Sequence, residues 1–432
     1  MREITLKRIF VFWVPLAATW LMMSAEGPFL AAIIARLADP KYNLAAYGVA
    51  FSFGLIIEAP VIMMLSASTA LVKNKQSYLK LRRFTFVLNG LLTVVILIAI
   101  IPDVFYFITV TIMELPHEVV RLTHGALILL IPWPGAIGYR RFYQGLLIRH
   151  NKTRLVAYGT VIRLGSMALT ALIFYVFFHI NGAWVGAAAL SAGVTAEGLI
   201  SRFMANNTVK ELMNEEEAKK DMLSYGKIFN FYYPLALTSL LGLTTPPLVT
   251  FFLGQGRMAV DSLAVFPVVN SFLFIFRSIG LSYQEVAIAF LSDRRDSFKK
   301  LQKFAALMIL YVTVVIALIT FSPLFKVWFH HISGLSLELT DFAHLPVVIL
   351  MLIPAFSIIL AFERAIMVYV QKTGPVTMAT GIELAGIFLS LTLFIHGFYM
   401  IGVVAAAIAL MIGRLGSVSF LLYFTKKYMS NL

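Results

Sequence analysis

Long unbroken runs of apolar residues alternate along this chain with short polar turns. Twelve runs reach or exceed the roughly 20 residues that a helix needs to cross a bilayer. They cover about 9–37, 44–71, 84–110, 120–148, 155–179, 183–207, 227–254, 260–291, 304–328, 342–370, 374–397 and 399–424. Several exceed the minimum, which predicts tilt or kinks. Spanning strands would show short segments of alternating polarity, and these runs do not alternate. The most polar stretch, 208–226, leaves six runs on either side. Within it Glu215/Lys219 and Glu216/Lys220 are favourable pairs four residues apart, while Glu211/Glu215 is like-charged. That pattern predicts a solvated, partly helical linker between lobes 1–207 and 227–432.

The two lobes resemble each other. Ile9–Ala17 (IFVFWVPLA) matches Ile228–Ala236 (IFNFYYPLA), and Pro28 matches Pro247, at an offset of 219. Ser77–Leu81 matches Ser297–Leu301, Lys152-Thr153 matches Lys372-Thr373 and Gly182 matches Gly402 at 220; Ile131-Pro132 matches Ile353-Pro354 at 222. Six helices is an even number, so both lobes run in the same direction and are related by an axis along the membrane normal. Repeats of this kind serve alternating access, in which two lobes rock about a site between them. The expected fold is therefore all-α and membrane-embedded, with about twelve helices in a parallel internal repeat.

Composition agrees with lipid as the solvent: 60% of the 432 residues are hydrophobic and 13% are charged, below the share in soluble domains. The net charge of +14 would suggest nucleic acid in a soluble protein. Here the basic residues are scattered over short turns and form no single patch, which argues against a nucleic-acid partner. If the N-terminus lies inside, inner segments hold about 23 of the 35 Lys and Arg, and the outer side holds about five. This asymmetry follows the positive-inside rule and puts both termini in the cytoplasm, in an inner membrane if the cell is bacterial. The apolar stretch after Arg2, Lys7 and Arg8 continues to about Leu37, longer than a cleaved signal allows, so it is expected to be a retained span.

Charges inside the spans carry the functional signal, because each is costly in lipid unless it faces protein or water. The acids are Glu26, Glu58, Glu197, Glu285, Glu363 and Glu383; the bases are Arg140, Arg141, Arg163, Arg277, Arg364 and Arg414. The repeat places Glu58 opposite Arg277, Arg141 opposite Glu363 and Arg163 opposite Glu383, three positions with inverted sign. Two arrangements are open: pairing across a central cavity, or satisfaction within each lobe. Arg140 and Arg141 lie nearer the inner end of their run, where snorkelling to the interface is expected. Glu26 stands beside Gly27 and Pro28, where a proline frees backbone carbonyls inside the membrane. An acid there suits a proton or a cation. Its repeat partner is Thr245, followed by Pro246 and Pro247, so that helix is also expected to be irregular.

Other chemistry is sparse. There is no cysteine, no G-x-x-x-x-G-K-[ST] phosphate loop, no H-E-x-x-H and no G-x-S-x-G, so no cofactor or metal is expected and an enzymatic role is disfavoured. His330-His331 fits a surface pair in an outer loop.

Twelve helices with a proline in each first helix resemble the multidrug/oligosaccharidyl-lipid/polysaccharide flippase superfamily, which includes the multidrug and toxic compound extrusion transporters. Short stretches are most similar to the progressive ankylosis family. These are Val14-Pro15-Leu16 with Glu26, Met222-Leu-Ser224 with Tyr233–Leu237, Ser282-Tyr-Gln-Glu285-Val, and Gly145–Lys152 with its basic turn. That resemblance implies export by rocking between inward-open and outward-open states, and an anionic solute such as citrate, pyrophosphate or a nucleotide. Multidrug relatives would imply an organic cation, and flippase relatives a lipid-linked sugar. The first helix of the second lobe has Thr245 and no central acid, a departure from the extrusion transporters' usual ion site. Arg277, Arg163, Glu58, Glu383, Arg141 and Glu363 are then expected at the substrate. Glu26, Glu285 and Glu197 are expected to couple a proton or sodium. The partners are the small solute and the bilayer, and two lobes around one pathway make a monomer sufficient.

Overall fold

A computed structural model describes residues 5–150, 152–178, 180–214, 223–291, 295–370 and 374–429. Arg2, the partners Glu215, Glu216, Lys219 and Lys220 of the linker, Met222, Arg294 and Lys372-Thr373 lie outside the described residues. Among the described residues, twelve helices are long and apolar enough to cross a membrane: α1 (Leu6–Ile34), α2 (Pro40–Leu71), α3 (Lys75–Ala99), α4 (His117–Arg149), α5 (Arg154–Phe177), α6 (Gly182–Met204), α7 (Tyr225–Gln255), α8 (Ala259–Ile288), α9 (Ser297–Thr320), α10 (Leu337–Met367), α11 (Gly374–Gly397) and α12 (Gly402–Lys427). This is a multi-pass membrane protein. Large side chains such as Val87, Leu169, Phe203, Tyr311 and Leu389 stand exposed on its helices, as lipid-facing positions do.

Two helices start well before their apolar runs, by nine and seven residues. The run at 84–110 becomes α3 at Lys75–Ala99, and the run at 304–328 becomes α9 at Ser297–Thr320. The basic turn before α3 is itself helical because Asn74 and Ser77 close a capping box: Ser77 N donates to Asn74 Oδ1 at 3.0 Å and Asn74 N to Ser77 Oγ at 2.9 Å. Prolines stop both helices early. Pro102 opens a short helix to Tyr106 and Pro323 caps another at Leu324–Lys326. Each continues into a π-helical turn, at Phe107–Ile112 and Val327–Ile332.

The repeat extends to the backbone. α1 is interrupted at Ala25 and α7 at Thr244, positions 219 apart, each just ahead of the prolines at 28 and at 246–247. Asp39 and Met258 take left-handed φ of 48° and 56° before α2 and α8. His124 Nε2 meets the Ile100 carbonyl at 2.8 Å, and His344 Nε2 the Thr320 carbonyl at 3.2 Å. Asn43 Oδ1 accepts from Ala183 N at 2.9 Å where Ser262 Oγ accepts from Val403 N at 3.0 Å. Different side chains thus keep the same bond in both halves.

Packing divides the chain differently from the linker. One compact unit contains residues 1–36 and 251–432, and the other contains residues 37–250. Each unit therefore takes the first helix, or most of it, from the opposite half of the chain. In the 37–250 unit α2 and α4 approach closely: Ser68 Oγ donates to the Phe142 carbonyl at 2.7 Å and Thr69 Oγ1 to that of Gly145 at 3.2 Å. A Cβ on Gly145 would lie 2.5 Å from the Leu65 carbonyl oxygen. Gly145→Val is therefore expected to push these helices apart, costing about 1–3 kcal/mol. A lowered thermal midpoint in detergent would show it, and an unchanged midpoint would mean that the contact yields freely.

Candidate functional site

Much of the buried charge gathers in one cluster within each unit. In the 37–250 unit, α2 ends its first section at Glu58 and turns through a 3-10 segment, Ala59–Val61. Glu58 is 4% exposed and accepts a hydrogen bond from Trp133 Nε1, at the first turn of α4 after Pro132. Trp133, Arg140 and Gln144 recur at helical spacing along one face of α4. Arg140 and Gln144 both reach Glu197 of α6: the guanidinium pairs with Glu197 Oε2, and Gln144 Nε2 donates to Oε1 at 2.9 Å. Arg163 of α5 approaches Glu197 Oε2 at 3.9 Å. Glu197, only 1% exposed, thus accepts from two side chains and has a second guanidinium at ion-pair distance. Arg141 lies in the field of these charges but makes no ion pair within 4 Å among the described residues, and its Nε is buried without a hydrogen-bond partner.

The cluster in the other unit draws on α8, α10, α11 and α12. Arg414 Nη2 pairs with Glu383 Oε1 at 2.9 Å and Arg414 Nη1 donates to Ser357 Oγ at 3.4 Å. Arg364 points toward Thr380 Oγ1, 3.5 Å away. Arg277 shares the electrostatic neighbourhood of Arg414, Glu383 and Arg364, but makes no ion pair within 4 Å among the described residues. Among the described residues, three arginines face one carboxylate here.

Of the two arrangements open at the three sign-inverted positions, each observed partner comes from the residue's own unit. Arg163 meets Glu197, Glu383 meets Arg414 and Glu58 meets Trp133. The inversion survives as a reversed ion pair. The fifth helix of the first half carries arginine and the sixth glutamate, while α11 carries glutamate and α12 arginine. Glu363 sits apart from the Arg277 cluster, buried beside Thr425 and Lys426. Glu26 is 8% exposed at the break in α1, where a Cβ on Gly27 would come within 2.8 Å of Ser271 Cβ. Glu285 is exposed, beside Trp20.

Snorkelling is corrected for Arg140. It is 4% exposed and bound to Glu197, roughly two and a half turns inside the end of α4. Sequence reasoning also left out Gln144, Ser357, Arg364 and Arg414 as site members. Gln144 was visible as the polar residue one turn beyond Arg140; Ser357 carried no signal among many serines.

A parallel six-plus-six repeat of membrane helices defines the class, a polytopic membrane protein, and its fold is shared by solved transporters of the multidrug/oligosaccharidyl-lipid/polysaccharide (MOP) superfamily. Three solved structures share it. An inward-facing multidrug resistance MATE transporter of that superfamily aligns over 96% of this chain and 95% of its own, at TM-score 0.71 and 15% identity. Lipid II flippase MurJ, in an inward closed conformation, aligns over 96% and 87%, at 0.71 and 16%. A MOP superfamily transporter from Pyrococcus furiosus, described as having a binding pocket of reverse polarity that suggests a different function, aligns over 98% and 93%, at 0.60 and 15%. No family profile and no curated protein sequence matches the chain.

Proposed function

We propose that this protein is a secondary transporter that exports a small organic anion by rocking alternating access. The observation that carries this reading is the cluster of Arg277, Arg364 and Arg414 against the single carboxylate of Glu383. Positive charge without a partner is costly inside a membrane protein, and an entering anion offsets that cost. Planar guanidinium groups suit carboxylate and phosphate oxygens, which they bind in a two-point fork. Citrate, pyrophosphate and nucleotides present such groups. The Pyrococcus neighbour indicates that this fold accommodates pockets of inverted polarity. Charge placement in the turns favours cytoplasmic termini. The protein acts as a monomer without catalytic chemistry.

Purified protein in liposomes tests the reading: labelled citrate and pyrophosphate are compared with an organic dye cation under an imposed pH gradient. Saturable anion movement is expected. Proton-coupled movement of the dye alone would overturn it in favour of a multidrug antiporter. Equal likeness to lipid II flippase favours one further reading, and movement of a polyprenyl diphosphate sugar would establish that instead.

Glu26 is proposed to carry the coupling proton or cation, because it is buried where α1 is interrupted. Glu26→Gln is expected to abolish gradient-driven movement while leaving the thermal midpoint within a degree or two. Wild-type rates in that variant would remove Glu26 from the mechanism.

A further inference from the structure

Trp13 and Tyr232 occupy the same position of the repeat, in the N-terminal piece of α1 and of α7. Both make the same pair of contacts with different chemistry. Trp13 Nε1 donates to Ser282 Oγ of α8 at 2.9 Å, and that hydroxyl donates on to the Ile279 carbonyl at 2.8 Å. Tyr232 Oη donates directly to the Pro60 carbonyl, in the 3-10 turn of α2. Pro60 and Ile279 are themselves equivalent in the repeat. Each ring also packs edge-on against an equivalent phenylalanine of the third helix: Tyr232 on Phe84 at 5.4 Å and 76°, Trp13 on Phe304 at 5.9 Å and 73°. An indole with a serine relay and a phenol on a proline carbonyl thus reach one geometry in both halves.

The backbone around them explains why a fastening is needed there. The breaks at Ala25 and Thr244 divide each first helix, so its N-terminal piece is not held by a continuous helix behind it. The C-terminal pieces have anchors of their own. Arg36 donates to the His331 carbonyl and to that of Ile332 at 2.8 Å, and Thr250 Oγ1 lies 2.9 Å from Ser52 Oγ. The N-terminal pieces expose apolar residues, Phe10 and Phe229 among them. In the 3-10 turn of α2 the Ala59 carbonyl is also taken up from α7, by Ser239 Oγ at 2.6 Å. A short 3-10 segment inside a helix is a common site of bending.

We propose that Trp13 and Tyr232 form a duplicated latch. Each is a positioning residue that holds the N-terminal piece of a first helix on the second and third helices of the other half, and each lets go during the transport cycle. Only the second clause rests on the transport reading.

The chain has no cysteine, so an introduced thiol is the sole target of a maleimide. Ile9 and Ile228, equivalent in the repeat, are fully buried one turn before the latch residues. Ile9→Cys and Ile228→Cys report on the two latches separately. Trp13→Phe is expected to raise labelling of the Ile9→Cys thiol by a water-soluble maleimide about tenfold and leave the Ile228→Cys thiol unchanged; Tyr232→Phe should do the reverse. Ser282→Ala removes the acceptor without touching a ring and should reproduce the Trp13→Phe result, which keeps the test open should the tryptophan variant fail to fold. Unchanged labelling in all folded variants would overturn the latch. In liposomes the same variants should change Vmax for the anion and leave KM in place; a changed KM alone would overturn release as a step of the cycle. If wild-type liposomes move no anion, the transport reading fails while the labelling result still decides the latch.

Discussion

Arg277→Ala should cut anion transport by about ten- to a hundredfold. A charge-assisted hydrogen bond contributes roughly 1.5–3 kcal/mol, and each 1.4 kcal/mol is about a factor of ten in affinity. Arg277, like Arg364, makes no ion pair within 4 Å among the described residues, so its removal strands no buried carboxylate there. Glu383 keeps Arg414 at 2.9 Å, and the fold should therefore tolerate the change. Arg277→Lys separates charge from shape. It keeps the charge but loses the planar fork, so an intermediate rate is expected for a substrate held at two points. Initial rates of labelled citrate or pyrophosphate uptake into liposomes measure both variants. Rates within twofold of wild type for Arg277→Ala would move the substrate away from this cluster.

Glu197→Leu should destabilise the protein by about 3–5 kcal/mol, the usual consequence of removing one partner from a buried ion pair. Arg140, 4% exposed, and Arg163 would both lose their carboxylate, and Gln144 its acceptor. Pairing the change with Arg140→Met removes the stranded charge and should recover much of the loss, because apolar replacement of a whole buried pair is often neutral or stabilising. Apparent thermal midpoints in detergent, compared in a double-mutant cycle, give the coupling. A single variant as stable as the parent would show that the arginines find other partners. The reversed pair in the other unit should be the milder case, since Glu383 holds Arg414 while Arg414 also has Ser357.

Much of this is legible in the sequence alone. Apolar runs located all twelve spans because lipid demands length and uniformity of every crossing helix. Pro28 and Pro246-Pro247 announced the interruptions in α1 and α7, because a missing N–H acts locally. Helix starts were harder. An apolar run marks what lies in lipid, whereas Lys75–Arg83 is helical through the Asn74–Ser77 cap and remains polar. The charged positions were visible, but their partners were not. Arg163 could be matched to Glu383 by the repeat, yet its carboxylate is Glu197, on the next helix of the same half. Repeat arithmetic reports common descent, and contact depends on which helices pack side by side. Nothing in the sequence marked the Tyr232–Pro60 bond either, since a proline carbonyl carries no compositional signal.

The exchange of first helices bears on the ancestry of the chain. A unit composed of residues 1–36 with 251–432, and another of 37–250, has the make-up of a dimer whose subunits traded an N-terminal arm before being joined end to end. Arm exchange is a low-cost route to association between identical chains. After fusion the two copies could diverge in charge, one keeping arginine where the other acquired glutamate, without either losing the arm on which its packing depends. Opposite charges at equivalent positions need two halves of different sequence, which two separate, identical subunits cannot supply.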